Sequence, residues 1–217
     1  MKNTIEYGIS RILKCGFWFV DIPRTSSSSI RIELGINFGP PYGKKNLLES
    51  KYSSEQIFPD HLTSSEMINI IGMESWQKIF TFSIVRNPWD RILSLYFYRK
   101  IKNNIPESWS FTDYILNLEG ATDKTNYFEY QGFRYGASEY IFDGNNKLLI
   151  NHIVRYEERD TGLQFISQKL KIRNFGIIST QISKPPRVDY KYYYSTDTKR
   201  IIENKYARDI DLLGYNF

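Results

Sequence analysis

Residues 21–29 have the types and the order of an anion-binding turn. They read DIPRTSSSS and directly follow an apolar, aromatic run that predicts a buried strand. A strand that ends in a tight polar turn and continues into a helix presents backbone N–H groups and the positive end of the helix dipole to an anion. Arg24 adds a forked positive charge, although a serine-rich helix cap with a surface arginine would explain the turn equally well. The hydroxyl donors are Thr25, Ser26, Ser27, Ser28 and Ser29.

A second junction of this kind lies at residues 86–94, RNPWDRILS. Arg86 follows another apolar run, at the carboxyl end of a predicted strand, where open α/β sheets bind their ligands. Ser94 comes two helical turns later, on the same face as Asp90. Arg86 and Ser94 could bind one phosphate together, whereas a capping Asp90 and a packing Ser94 would be the structural alternative. Two such junctions in one sheet predict a ligand with two separated phosphate-like groups.

The two segments resemble the cofactor signatures of sulfotransferases that use 3′-phosphoadenosine 5′-phosphosulfate (PAPS). WFVDIPRTSSSSI resembles FxHIPKTGGTS, and FTFSIVRNPWDRILSLYFY resembles VRNPxDRxxSxYxY, both of the carbohydrate sulfotransferase branch. NHIVRYEE, at residues 151–158, resembles a late IxRYE strand of that family. Residues 193–217, which end DIDLLGYNF, resemble its closing helix and its D-x-x-x-x-G-Y-x-F tail. The resemblance therefore touches four places spread over most of the chain.

This resemblance implies a Rossmann-like three-layer fold with a central parallel sheet, related to the P-loop nucleotide kinases. It also implies transfer of a sulfuryl group from PAPS to an acceptor hydroxyl, with release of 3′,5′-adenosine bisphosphate (PAP). The turn from Arg24 to Ser29 would hold the 5′-phosphosulfate. Arg24 would also be catalytic, because it stands where the family has a lysine that steadies the bridging oxygen. Arg86 and Ser94 would hold the 3′-phosphate.

His61 is the candidate general base, since it resembles the histidine of a G-H-x element between the two cofactor motifs of this branch. An acceptor hydroxyl has a very high pKa, so a base of near-neutral pKa has to take its proton during attack. Asp60 or Glu66 could orient His61 or replace it, and a histidine bonded to backbone at a helix start is the structural alternative. The other histidine, His152, falls in a predicted buried strand and is assigned to the core.

The first motif departs from the family pattern in three respects. Ser26 and Ser27 replace two glycines, which requires either a turn without positive φ or a shifted turn. Arg24 keeps the charge of the family's lysine without its shape. Asp21 replaces a histidine that often precedes the motif.

Strands and helices that could position these residues alternate along the chain. Alternation of this kind predicts an α/β fold with a parallel sheet. No repeat or long linker divides the sequence, so we expect one sulfotransferase domain over residues 1–217. Thr63 to Glu66 forms a capping box, and Asn87-Pro88 has the N-cap and first-turn residues of a helix. The predicted strands cover 16–22, 79–85 and 148–156, and the predicted helices 28–35, from 63, from 87, 110–119, 160–171 and 196–213.

The composition of the chain limits the classes of partner that it could bind. Twenty-nine basic against 24 acidic residues give a net charge of +5, which favours an anionic partner. No recognition-helix or zinc pattern points to nucleic acid. The single cysteine, Cys15, excludes an internal disulfide framework, and no cluster of residues predicts a metal site. The apolar run Phe17–Val20 is far shorter than a membrane span, and no secretory leader is visible, so we expect a cytoplasmic protein.

The irregular segment 36–59 lies where an acceptor could enter. Its Lys44 and Lys45 are candidate acceptor-binding residues and would suit an acidic glycan, while saccharides in general and small metabolites stay open. Two other functions remain as alternatives. A small-molecule kinase would need the P-loop glycines and lysine, which the chain lacks. A non-catalytic module that binds a nucleotide or a glycan would use Arg86 and Ser94 without depending on His61.

Overall fold

The computed structural model describes residues 2–39, 41–42, 58–120, 133–173, 175–176 and 188–217. The strands are β1 (Phe17–Val20), β2 (Phe80–Val85) and β3 (His152–Arg155). Short 3-10 helices cover Tyr156–Glu158 and Tyr190–Tyr193. The α-helices are α1 (Lys2–Cys15), α2 (Ser27–Phe38), α3 (Ser64–Ile71), α4 (Met73–Lys78), α5 (Pro88–Ile101), α6 (Phe111–Gly120), α7 (Ala137–Ile141), α8 (Arg159–Leu170), α9 (Thr196–Lys205) and α10 (Ala207–Leu213).

The three strands form a parallel sheet in the order β1-β2-β3. Phe17 is in register with Phe80, and Val85 with Arg155. The aromatic and β-branched residues of β1 and β2 are almost all buried, which is typical of parallel strands covered on both faces. The prediction of an α/β fold with a parallel sheet is therefore confirmed.

The described chain divides into two compact units. The first comprises Met1–Val85 and Tyr140–Thr180 and contains the whole sheet. The second comprises Arg86–Glu139 and Gln181–Phe217 and is built from helices around an aromatic core. The buried members of that core are Trp89, Ile92, Leu93, Leu95, Tyr96, Phe111, Tyr114, Ile115, Phe133, Ile202 and Tyr206.

In the second unit, the buried carboxylate of Asp209 bonds the start of α7. Asp209 accepts hydrogen bonds from the backbone N–H groups of Ala137 and Ser138, at 2.6 and 2.8 Å, and from the Ser138 hydroxyl at 2.6 Å. Asp209 thus accepts from backbone N–H groups at the start of α7, which have no carbonyl partner within the helix. A Cβ on Gly136 would lie 2.4 Å from Oδ1 of Asp209, so only glycine fits beside it.

Both helix starts that the sequence predicts from local caps are confirmed. Thr63 accepts from the Glu66 N–H at 3.2 Å while Glu66 accepts from the Thr63 N–H at 2.8 Å, which is a complete capping box. Asn87 caps α5 through its side-chain oxygen, and Pro88 occupies the first helical position. Contacts within four residues determine both starts, which is why the local sequence suffices to predict them.

Elsewhere the boundaries differ from prediction. Helix α2 passes through Gly35, the predicted end, and is terminated by the C-cap residue Gly39. Gly39 has a φ of 69°, which lies in the region that favours glycine. The predicted helix 196–213 is two helices that meet at Tyr206, a buried residue that donates its hydroxyl hydrogen to the Phe133 carbonyl. The prediction did not include α1, which ends at Gly16 with a φ of 74°.

Strand β3 is shorter and less buried than predicted. The side chain of Asn151 accepts from the Thr81 N–H at 2.7 Å, in the place of a further ladder bond. Leu148 instead bridges to Phe142 in antiparallel fashion. Only Val154 of β3 is fully buried. His152 is half-buried with its ring stacked on Phe165 at 4.3 Å, so the core assignment holds only in part.

Candidate functional site

The turn after β1 combines a left-handed backbone with polar side chains. Arg24 and Ser26 have φ angles of 68° and 73°. A serine therefore adopts the conformation that glycine would favour, at a cost of about 1–2 kcal/mol, and the alternative of a turn without positive φ is wrong. The Thr25 hydroxyl donates to the Ile22 carbonyl at 2.9 Å and closes the turn from inside.

Helix α2 begins at this turn without a side-chain cap. Ser26 is the N-cap residue, but its left-handed backbone leaves it with no side-chain bond to the first turn. That first turn contains no acidic residue. Its backbone N–H groups and the helix dipole are therefore not neutralised by a carboxylate of the first turn or by the cap. Ser27 and Ser29 are buried, Ser28 is exposed and Arg24 is half-buried.

Asp21, the first residue after β1, contacts the imidazole of His61, 40 residues further along the chain. Nδ1 of His61 lies 3.1 Å from the backbone oxygen of Asp21 and 3.3 Å from its Oδ2. His61 has a φ of 59°, a conformation in which histidine is enriched among non-glycine residues. The candidate base is thus held against the residue that leads into the anion-binding turn.

The two side chains shift each other's pKa values in opposite directions. Burial alone would raise the pKa of Asp21, but His61, Arg31 and Ser27 outweigh it and hold the pKa below 3.8. Burial alone would lower the pKa of His61, but Asp21 and, to a smaller extent, Asp60 raise it above 6.5. Asp21 is therefore ionised at neutral pH, and the charged form of His61 is favoured more than in water.

Arg31, on α2, contacts the same carboxylate. Its Nη1 is 3.3 Å from Oδ2 of Asp21 and also forms an ion pair with Asp60. Asp60 is thus engaged by Arg31, and Glu66 by the capping box at Thr63. Neither of the two carboxylates predicted to orient His61 makes the contact to its Nδ1 that Asp21 makes.

An aromatic cleft adjoins these charged groups. Trp18, Tyr42 and Phe58 line it together with Asp21 and His61. The Trp18 and Phe58 rings meet edge to face at 5.7 Å. The indole N–H of Trp18 is buried and has no hydrogen-bond partner among the residues that the structure describes. The three rings are themselves buried, so the cleft is a small space of about 40 Å³ beside the candidate base.

In the second unit, Arg86 and Asp90 form an ion pair, with Nε of Arg86 2.7 Å from Oδ2 of Asp90. Arg86 and Ser94 are both buried. Asn87, rather than Asp90, caps α5, and its side-chain amide donates to the backbone oxygen of Asn216 at 2.9 Å. Asp90 therefore fixes the orientation of the Arg86 guanidinium instead of capping the helix.

Two predicted acceptor-binding residues, Lys44 and Lys45, lie outside the described residues. The sequence prediction missed two members of the site, Asp21 as the partner of His61 and Arg31. Asp21 carried a usable signal, since it is a carboxylate at the carboxyl end of a buried strand, where ligand sites of parallel sheets lie. Arg31 carried none, because a solvated arginine on a helix has the same local sequence.

Comparison with protein-family models, with curated proteins and with solved structures found no match. Within the described ranges, no helix combines the length and the apolar character needed to cross a bilayer. The same part of the chain brings no three His, Cys, Asp or Glu side chains together as a metal site would require. The absence of a nucleic-acid partner and the cytoplasmic location stay predictions.

Proposed function

We propose that the protein is a sulfotransferase that moves a sulfuryl group from PAPS to an acceptor hydroxyl. The observation that carries this proposal is the contact between His61 and Asp21. It ties a potential base to the strand end that leads into the turn from Arg24 to Ser29. The four motif resemblances in the sequence add the donor's identity to what is otherwise a general anion-binding arrangement.

The turn fits an anionic donor on structural grounds. The first turn of α2 has no side-chain cap and no acidic residue of its own, and Arg24 precedes it, so its backbone N–H groups and this arginine supply donors and charge for a phosphosulfate. The side chain of Ser27 is hydrogen-bonded to Asp21. In this proposal Arg24, Thr25 and the serines 26–29 hold the 5′-phosphosulfate, and Arg86 and Ser94 hold the 3′-phosphate. We further propose that the sheet belongs to a Rossmann-like three-layer arrangement related to that of P-loop nucleotide kinases. The order β1-β2-β3 and the strand–turn–helix passage support this relation.

The proposed reaction is an in-line displacement at sulfur. The acceptor oxygen forms a bond to sulfur while the bond from sulfur to the bridging phosphate oxygen breaks, and the electron pair of that bond stays with PAP. His61 takes the acceptor's proton. Arg24 and the backbone N–H groups of α2 stabilise the negative charge that grows on the leaving phosphate. The acceptor is a saccharide or a small metabolite with a free hydroxyl.

Calorimetric titration with PAP, ATP and AMP, on the wild type and on Arg86→Ala, tests the donor class. We expect PAP alone to bind tightly, with the affinity lost in Arg86→Ala and kept in Arg200→Ala, whose side chain is 71% exposed. Ser94→Ala provides a second variant that removes a single hydroxyl. A preference for ATP, or no binding of PAP, would contradict the proposal and favour a kinase.

A transfer assay separates an enzyme from a binding module. The wild type is mixed with ³⁵S-labelled PAPS and a panel of hydroxyl acceptors, and labelled product is separated from labelled donor. His61→Gln should lose transfer by about 10²–10⁴-fold, the usual contribution of a general base, while binding PAP as the wild type does. PAP binding without any transfer would favour the non-catalytic module instead.

A further inference from the structure

We propose that Asp21 is the positioning residue of the reaction: it holds His61 through Nδ1 and leaves Nε2 as the nitrogen that takes the acceptor's proton. The inference rests on the proposed function. It concerns a position at which this chain departs from the resembled family, because Asp21 stands where that family often has a histidine. Asp21 acts through His61 and needs no contact with the substrate.

The two contacts of Nδ1 determine which ring nitrogen carries the proton. Both neighbouring atoms on Asp21, the backbone carbonyl oxygen at 3.1 Å and the carboxylate Oδ2 at 3.3 Å, are acceptors only. Nδ1 must therefore be the donor, because an unprotonated Nδ1 would face two electron-rich oxygens. In the neutral ring the remaining lone pair is then on Nε2, which is the atom a general base uses.

The charged groups around His61 keep this arrangement in place. Asp21 comes from the end of β1, Asp60 from the segment of His61 itself, and Arg31 from α2. Nη1 of Arg31 contacts the same oxygen of Asp21, Oδ2, as Nδ1 of His61, so Arg31 stabilises the ionised form of Asp21, and it pairs with Asp60 at the same time. Because Asp21 stays ionised, it can stabilise the imidazolium that forms when Nε2 accepts a proton.

Arg31 also connects the base to the helix that starts at the anion-binding turn. Its guanidinium leaves α2 four residues after Ser27, the first residue of that helix, and ends on the two carboxylates beside His61. The partner of His61 and the proposed donor site thus share one short strand–turn–helix segment. Asp21 also forms a side-chain hydrogen bond with Ser27 of that turn, so the substitution that tests Asp21 has to keep an acceptor oxygen at this position.

The first test reads the protonated ring nitrogen of His61 directly, with Asp21 unchanged. The protein is labelled with ¹⁵N-histidine, and the ¹⁵N shifts of both ring nitrogens are recorded at a pH above the titration of the ring. The chain has two histidines, so a His152→Gln sample assigns the spectrum. We expect His61 to be protonated at Nδ1 and bare at Nε2. Protonation at Nε2 in the neutral ring would overturn the proposal.

The second test removes the charge and keeps an acceptor oxygen. In Asp21→Asn, the NMR titration of His61 should move to lower pH, and the pH profile of kcat should move with it. We expect kcat to fall by about 10–100-fold, a part of the general-base contribution, with KM for PAPS unchanged. Asp160→Asn, which removes a fully exposed carboxylate of the same unit, should alter neither.

The outcomes separate this inference from the proposed function. An unchanged His61 titration in Asp21→Asn, or a loss of PAP binding as large as the loss of kcat, would overturn Asp21 as a positioning residue. Absence of sulfuryl transfer in the wild type, with the expected tautomer and the expected shift, would overturn the proposed function while supporting the relationship between Asp21 and His61.

Discussion

Arg86 donates through Nε to the carboxylate of Asp90, four residues further along, at 2.7 Å. The guanidinium is planar and carries its N–H donors in a rigid fork, so this bond fixes the orientation of the whole group. Both residues belong to the start of the second unit, and the side chain of Arg86 is 9% exposed. The pair is therefore a fixed fork rather than a mobile surface charge.

This geometry predicts that lysine cannot replace arginine at position 86. A lysine keeps the charge, but its ammonium group lacks the planar, rigid shape that the bond to Asp90 orients in arginine. We expect Arg86→Lys to weaken PAP binding about tenfold, which corresponds to about 1.4 kcal/mol. Calorimetry measures the change, with Arg200→Lys as the exposed control. Equal affinity in Arg86→Lys and the wild type would contradict the role assigned to the fork.

The left-handed backbone at Ser26 makes a prediction about stability. Ser26→Gly relieves the steric cost of a side chain at a φ of 73° and loses no capping bond, so it should raise the free energy of unfolding by about 0.5–1 kcal/mol. Ser28→Gly is the matched control, because Ser28 is exposed and lies inside α2, where glycine should destabilise. Urea denaturation compares the two. A destabilised Ser26→Gly would show that the turn does not retain this backbone.

The contact between Asp21 and His61 predicts a pH-dependent stability. The pKa of His61 is raised, so its contribution is fully present below pH 6.5 and is lost as the pH rises through the folded value. The pKa of Asp21 is lowered, so its contribution is present above pH 3.8 and is lost as the pH falls further. The pair should therefore stabilise the protein most between these two values.

Urea denaturation of His61→Gln at pH 5.5 and pH 8.5 tests that sign. We expect the substitution to lower the free energy of unfolding more at pH 5.5 than at pH 8.5. His152→Gln is the control with the opposite sign, because desolvation lowers the pKa of His152 and makes its protonation unfavourable to the fold. An equal loss at both pH values in His61→Gln would contradict the ion pair.

The buried carboxylate of Asp209 predicts a large effect in the second unit. Asp209→Asn replaces one acceptor oxygen by an amide group that faces the donors at Ala137 and Ser138. Because bonds to a charged acceptor contribute about 1.5–3 kcal/mol each, we expect a loss of about 2–3 kcal/mol in the free energy of unfolding. Asp211→Asn, at an exposed position on the same helix, should leave stability within about 0.5 kcal/mol.

Prediction from the sequence succeeds where a few neighbouring residues decide the outcome. The capping box at Thr63 and the cap at Asn87 are complete within four residues, and β1 and β2 are short segments rich in aromatic and β-branched residues. It fails where a distant group competes. Asn151 bonds Thr81 and shortens β3, and Tyr206 is fixed by the Phe133 carbonyl where a single helix was expected.

In the candidate site, too, local features could be predicted from the sequence and contacts between distant residues could not. The sequence alone determined the parallel α/β class, the strand–turn–helix passage at residues 21–29 and the helix start at Asn87, because periodicity and capping are local properties. Only the tertiary structure decided that Asp21 is the partner of His61 and that Arg31 joins it. These three residues come from a strand end, a loop and a helix, and the energy of their contacts depends on distance in space, which no local pattern encodes.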